Sequence, residues 1–298
     1  EECVRIWKDC AQNTAEGQIF AVCHVLRYTP FFLQIKKLLD EGAVGRLVNL
    51  QYEEDIGFYH FAHSYVRGNW RDESRSSPLV LAKSCHDLDI LRWLAGSPVQ
   101  HISSTGSLVE FTPANRPAGA PDRCAEGCPA AQTCPYNAVR LYHGFLPGAF
   151  LRPIVELEDA THDLDHALLH TGYGRCVYAC GNNVPDHQAV SLHFENGVDA
   201  QLTITAFSSR ITRIVHLMGT RGEIQGDLAK NLITLTDFAS MKKTRIRLDV
   251  PAEGHHGGDR GLTGSFVAGV AGGSALPTAL AQSLESHLMA FAAEKARR

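Results

Sequence analysis

The sequence predicts an α+β fold: a large, mainly antiparallel open sheet with helices on one face. Three observations carry this reading. Two alternating runs, His187 to Glu195 and Val198 to Phe207, flank Asn196-Gly197, a strong hairpin signal because Asn-Gly suits a type I′ turn. Further short strand-like runs follow near 211–218, 222–227, 231–238 and 244–250. Helical patterns lie beside these strands, and no internal repeat divides the chain.

Taken in order, residues 3–17 read as an amphipathic helix closed by Gly17, followed by a short buried strand from Ile19 to Val25. Thr29 can cap a second helix with Pro30 at its first position; Phe32, Ile35, Leu38 and Leu39 form its apolar stripe, and Gly42 ends it. Leu47 to Ile56 is expected to be a strand. Gly57 to Pro78 is polar, aromatic and His-rich without a period, so it reads as a functional loop rather than a disordered one. Ser76 or Ser77 then caps a helix from Pro78 to Leu94, ended by Gly96, and Val99 to Val109 is strand-like. Residues 110–137 read as a Pro- and Cys-rich insertion, with a helical stretch at about 153–170. After the strands, the glycine-rich HHGGDRG leads to a helix at about 260–271, and a last helix is expected over 280–296.

Composition narrows the functional classes. With 28 Lys and Arg against 32 Asp and Glu, the net charge of −4 excludes the broad basic field that non-specific nucleic-acid binding needs. No apolar run approaches the roughly 20 residues that span a bilayer, and no signal-peptide pattern opens the sequence. Nine cysteines, odd in number and mostly dispersed, argue against a secreted disulfide framework and for a reducing cytoplasm. No G-x-G-x-x-G occurs among 26 glycines, so the chain carries no dinucleotide fingerprint of its own.

The segment from Leu81 to Asp89, LAKSCHDLD, is the most informative. On one continuous helix Lys83 and His86 lie about 60° apart, and such a pair can share proton transfer: the imidazole titrates near neutrality, and the ammonium can hold a developing alkoxide. A solvated Lys beside a core His is the competing reading. In the loop before it, His60, His63, Tyr65, Arg67 and Trp70 have the composition of a sugar or polyol pocket, a stacking aromatic with several hydrogen-bond donors. Cys124, Cys128 and Cys134 bring three thiols into one short loop. A structural zinc would need a fourth ligand, from Cys180, Cys176 or His143; free thiols in an irregular loop are the alternative. His255, His256 and Asp259 could contact a metal or substrate, or form a plain loop.

HVLRYTPFFLQIKKLLDEGAVGRLVNLQ and SPLVLAKSCHDLDILRWLAG, with DHQAVSLHFENGVDAQLTITAF, MGTRGEIQGD and the HHGGD segment, resemble the Gfo/Idh/MocA family of NAD(P)-dependent oxidoreductases. The order and spacing of these stretches cover nearly the whole chain. The resemblance implies a dinucleotide-binding Rossmann domain followed by a substrate domain on an open, largely antiparallel sheet. It implies that the cofactor glycines and a catalytic Lys precede the helix at 3–17, so the main cofactor-binding residues are expected upstream of Glu1. Residues 1–25 are then expected to be a Rossmann remnant, and 26–298 the substrate domain, with a Cys-containing insertion at about 110–150.

By the same resemblance, His86 matches the active-site His that acts as acid and base on the substrate hydroxyl. Many members carry an Asp four residues earlier, where this sequence has Ala82, with Lys83 beside it. Arg27 and Tyr28 match the segment that approaches the nicotinamide side, and Asp186 and His187 stand where side chains point into the cleft; packing at a junction and a buried Asp–His pair are the alternatives. The expected function is hydride transfer between NAD or NADP and a sugar, inositol or related polyol, with His86 and Lys83 catalytic and Arg27, Tyr28, His63, Tyr65, Trp70, Asp186 and His187 binding substrate. An NAD-dependent glycoside hydrolase, or a non-catalytic ligand-binding or oligomerisation module, are the rivals. The apolar faces Val190, Leu192, Phe194 and Leu202, Ile204, Ala206 are expected to be covered by a partner subunit, giving a homo-oligomer, with no nucleic-acid or membrane partner.

Overall fold

The computed structural model describes residues 1–13, 18–250, 253–272, 276, 278 and 280–298. Its helices are α1 (Glu2–Asn13), α2 (Pro30–Asp40), α3 (Phe58–Phe61), α4 (Leu79–Ala82), α5 (Cys85–Ala95), α6 (Ala138–Tyr142), α7 (Arg152–Leu157), α8 (Leu164–His170), α9 (Glu253–His256), α10 (Gly258–Val270) and α11 (Leu280–Arg297). Its strands are β1 (Leu47–Asp55), β2 (Val99–Ser107), β3 (His187–Phe194), β4 (Asp199–Thr205), β5 (Thr212–Gly219), β6 (Gly222–Asp227), β7 (Leu232–Asp237) and β8 (Lys243–Arg247). The strands form one eight-stranded sheet in the order β2-β3-β4-β1-β5-β6-β7-β8. Every pairing is antiparallel except β1 with β4. The α+β architecture expected from the sequence is the one observed.

Strand periodicity sorts the two faces of this sheet. On β1, Leu50, Tyr52 and Glu54 point inward and are buried, while Asn49, Gln51 and Glu53 are exposed on the opposite face. Val190, Leu192, Phe194, Leu202, Ile204 and Ala206 are also buried, all at 2% exposure or less. The helices that cover this inner face belong to the same chain. Helix α5 packs on β1 and β4, α2 on β7 and α5, and α11 on β2 and α5. The expected need for a partner subunit over that apolar face is therefore corrected: the chain covers it with its own helices.

Several local expectations change. Residues 19–24 form no strand and lead into a 3₁₀ turn at Val25–Tyr28; Gly17, expected to close α1, lies outside the described residues. The Gly57–Pro78 stretch is mostly helical, with α3, a wide π-type turn at Ala62–Arg67 and a 3₁₀ turn at Asn69–Arg71. The expected helix from Pro78 to Leu94 is two helices, α4 and α5, broken at Lys83 and Ser84, and Pro78 rather than a serine precedes it. Likewise α7 and α8 replace one helix over 153–170. In the β3–β4 hairpin only Gly197 has positive φ, at 82°, and its amide donates to the Phe194 carbonyl at 2.9 Å. That is a type I turn with a glycine bulge rather than type I′. Thr29 does cap α2, its hydroxyl accepting from the Phe32 amide at 3.2 Å.

The insertion also reaches further than expected and packs on itself. Ala138, Leu141, Tyr142, Leu151, Val155, Leu164, Ala167 and Leu168 form a second hydrophobic core with Tyr59. Three short helices, α6 to α8, surround it, so the segment between β2 and β3 is a small helical lobe rather than an irregular loop.

Candidate functional site

The inward position at the end of β1 is occupied by a carboxylate, Glu54, 0% exposed. Beside it, on the neighbouring strand β5, stands Arg213, whose Nε lies 2.8 Å from Glu54 Oε2. The same guanidinium donates to Asp87 Oδ1 of α5 at 2.9 Å, and the Tyr52 hydroxyl donates to that oxygen at 2.9 Å. The break between α4 and α5 brings Lys83 to this group, its Nζ 3.1 Å from Glu54 Oε1. Two carboxylates thus face two cations beneath the helices. Burial raises the pKa of Glu54 against the pull of Arg213 and Lys83. At Asp87 burial pushes the same way, but the Arg213 charge and hydrogen bond prevail and hold its carboxyl below the usual range.

His86 sits at the start of α5 beside this network. It is half-buried, its Nδ1 has no hydrogen-bond partner, and burial pushes its pKa down to about 4, with Asp87 opposing. Its ring meets His24 edge-on at 5.9 Å, and His24 in turn meets His287 at 5.6 Å. His60 is held down at about 3, by burial and then by the charge of Lys83, and its Nδ1 is also unpartnered. The imidazoles of His60 and His86 are therefore neutral at physiological pH, next to a lysine anchored by a buried carboxylate. Tyr65 is buried and feels Glu54, Cys85 and Asp87; Trp70 stacks on it at 5.9 Å and is 45% exposed. These two rings lead from the charged network to the surface.

Other candidates are placed elsewhere. Arg27 is 1% exposed and grips Asp89 through two bonds of 2.6 and 2.7 Å, with a third to Gln282 at 2.7 Å, so its guanidinium braces α5 against α11. The Tyr28 hydroxyl pairs with Thr278 at 2.9 Å. His63 belongs to the helical lobe, bonded to the Tyr142 hydroxyl at 2.9 Å and stacked on Tyr173 at 4.5 Å. Asp186 accepts from the amides of Val109 and Glu110 at 2.9 and 2.8 Å and holds His187 at 2.9 Å, which fixes the loop after β2. His255 pairs with Asp259 at 2.7 Å on the surface.

Glu1 leads into the first turn of α1 rather than standing in the network around Lys83. It is exposed just before α1, its carbonyl accepting from the Arg5 amide at 2.9 Å. Its surroundings are an open surface groove shared with Val4, Arg5 and Lys8, not the Lys83 and His86 network.

The expected zinc at Cys124, Cys128, Cys134 and Cys180 is corrected. Among the described residues no group of three or more His, Cys, Asp or Glu side chains is disposed to hold a metal ion. Cys180 instead donates to the Cys176 carbonyl at 3.2 Å, and Cys124 lies 3.8 Å from Arg67 Nη2. Tetrahedral zinc needs four converging donors, and Cys124 and Cys180 are engaged with other groups.

The sequence points to Lys83 and His86 but not to Glu54, Asp87, Arg213 or His24. A signal for Glu54 is present, since the alternation Leu50, Tyr52, Glu54 continues an inward face into a carboxylate. Arg213 becomes visible only once β5 is paired with β1.

Residues 32–131 match the family model described as GFO/IDH/MocA C-terminal domain, and over this stretch the chain is similar to that family. The Bacillus subtilis (strain 168) protein named "Putative oxidoreductase YteT" is 23% identical over 222 residues, 73% of this chain and 50% of that protein. The chain thus spans about half the length of this curated relative. Levoglucosan dehydrogenase, solved with NADH and levoglucosan, superposes with a TM-score of 0.64 at 16% identity, over 99% of this chain and 67% of that one. Scyllo-inositol dehydrogenase from Lactobacillus casei, solved with NAD(H) and scyllo-inositol, gives 0.58 at 16% identity, over 99% and 66%. These superpositions show a shared fold. No helix among the described residues is long and apolar enough to cross a membrane.

Proposed function

We propose that this chain handles the substrate in an NAD(P)-dependent oxidoreductase that oxidises a hydroxyl carbon of a sugar, inositol or related polyol, or reduces the corresponding carbonyl. The observation that carries the reading is Lys83, held on buried Glu54, beside a neutral His86 whose Nδ1 is unpartnered. The compounds bound in the structural neighbours, levoglucosan and scyllo-inositol, support the substrate class. The reading takes residues 1–25 as the edge of a dinucleotide-binding domain and 26–298 as the substrate domain.

The described residues do not themselves fit a dinucleotide. There is no G-x-G-x-x-G in the sequence, and α2, α5 and α10 do not follow a strand through a glycine-rich turn that would cradle a pyrophosphate. A substrate hydroxyl placed between Lys83 and His86 has its oxygen polarised by the ammonium, which stabilises the alkoxide as it forms. Neutral His86 accepts the proton in oxidation and returns it in reduction. Glu54 and Arg213 keep Lys83 from swinging away, and Trp70 offers a stacking face to a sugar ring.

The test uses the full-length protein that carries this chain, supplied with NAD or NADP and candidate polyols, with cofactor absorbance as the readout. His86→Ala is expected to lower kcat by about 10²- to 10⁴-fold, the range for loss of a general acid–base. Turnover equal to the unsubstituted protein would overturn the assignment.

A further inference from the structure

The helical lobe holds a second group of charges that takes no part in the site above. Arg67 is 3% exposed. Its Nε donates to the Arg175 carbonyl at 2.8 Å, its Nη2 donates to the Tyr136 carbonyl at 2.6 Å and contacts Cys124 Sγ, and its Nη1 is buried without a hydrogen-bond partner. The ionisable groups that act most on it are Cys124, Tyr142 and Cys180, none of them a carboxylate. A buried cation with only neutral neighbours is costly, because nothing nearby replaces the hydration it gave up.

Arg67 lines a recess of about 280 Å³ together with Asn69, Arg71, Glu158, Tyr173 and Arg175. Arg71 uses its Nη1 on the carbonyls of Gly68, at 3.1 Å, and Arg67, at 3.4 Å, which fixes the side chain by neutral bonds alone. Among the described residues no ion pair joins Arg67, Arg71 or Arg175 to a carboxylate; Glu158 lines the recess without pairing to them. Three guanidinium groups against one carboxylate leave a net positive charge facing one small cavity.

We propose that this recess binds a phosphate group, as a phosphate monoester or free phosphate. Such a group carries about −1.5 to −2 charge at neutral pH and matches guanidinium forks in bidentate geometry. Arg71 and Arg175 grip the oxygens, and buried Arg67 supplies positive charge from behind. The site is separate from Lys83 and His86, so it stands whatever the reaction there proves to be.

Isothermal titration calorimetry of the purified chain with inorganic phosphate, and in parallel with glucose 6-phosphate, tests this at ionic strength held constant with chloride. Saturable binding is expected, weakened about 10-fold by Arg71→Ala and by Arg175→Ala and lost in the double variant. Both side chains lie toward the surface, and circular dichroism verifies that the variants fold. Equal affinity for the two probes assigns the site to the phosphate group alone, and tighter binding of the ester assigns it to a phosphorylated metabolite. No saturable heat with either probe, or unchanged binding in the folded double variant, overturns the proposal.

Discussion

Arg67 is buried and Arg213 nearly so, yet they stand in opposite electrostatic settings. Arg213 lies between two carboxylates, at 2.8 Å from Glu54 and 2.9 Å from Asp87, and its charge is spent inside the molecule. Arg67 donates to two carbonyls and contacts a thiol, with the Tyr142 hydroxyl nearby and, among the described residues, no carboxylate paired to it. What surrounds a buried cation therefore decides its role. One enclosed by acids fixes geometry, here the position of Lys83 beside His86; one enclosed by neutral groups keeps its field for something outside the chain.

Removing each charge separates the two settings most directly. Arg213→Met leaves two buried carboxylates facing each other and is expected to cost about 3–5 kcal/mol of stability, the penalty for orphaning a buried charge. Arg67→Met leaves neutral acceptors that lose hydrogen bonds and should cost about 1–3 kcal/mol. Urea denaturation of the two variants measures both. Equal losses would show that Arg67 is as tightly compensated as Arg213.

Protonation gives the next largest effect. Burial lowers His24 and His60 to about 3, and His63 and His86 to about 4, from an ordinary 6.5. Folded-state values below the unfolded one mean that the unfolded chain takes up protons first as pH falls. The stability these neutral imidazoles contribute is full above pH 6.5 and declines as pH drops toward 4 and then 3. Melting temperature should fall steadily through that window, and a flat profile would place the rings in solvent. His24, His60 and His86 belong to the Arg213 side and His63 to the Arg67 lobe. His63→Gln should therefore remove only the lobe's share of the slope.

These two regions also differ in how far they are legible in the sequence. The sheet and its hairpins follow from period-2 alternation, and Thr29-Pro30 announces α2 through local capping chemistry. Lys83 and His86 stand out as residue types, but on one unbroken helix. The break at Lys83 and Ser84, which turns Lys83 toward Glu54, is a tertiary event: the partner lies on a strand about 30 residues away in the chain. Arg213 is further still, and its role depends on strand register. In the lobe, thiol spacing suggests a metal, whereas the fold sends Cys124 toward Arg67 and Cys180 to the Cys176 carbonyl. Spacing along a chain reports proximity only within one regular element, and the lobe's short helices provide none long enough.

A smaller effect tests a feature that the sequence does reveal. Thr29→Ala removes the hydroxyl that accepts from the Phe32 amide and should cost about 1 kcal/mol. The cap lies at the start of α2, away from both arginines, so neither phosphate binding nor the behaviour of His86 should change. Altered phosphate affinity in this variant would mean that the lobe and α2 are coupled.

The smallest effect separates two turn types. Gly197 has φ at 82° with nothing within 4 Å of an added Cβ, so Gly197→Ala meets backbone strain alone and should cost about 1 kcal/mol. In a type I′ turn Asn196 would share that positive φ, and Asn196→Gly would relieve it and stabilise the hairpin. Here Asn196 instead binds the Ala95 carbonyl at 2.9 Å and accepts from the Val198 amide at 3.2 Å. Asn196→Gly should therefore destabilise, by a few tenths to about 1 kcal/mol for the lost bonds. Urea midpoints decide the sign. A gain in stability would restore the type I′ reading at this hairpin alone, because β1 and β5, which carry Glu54 and Arg213, pair independently of it.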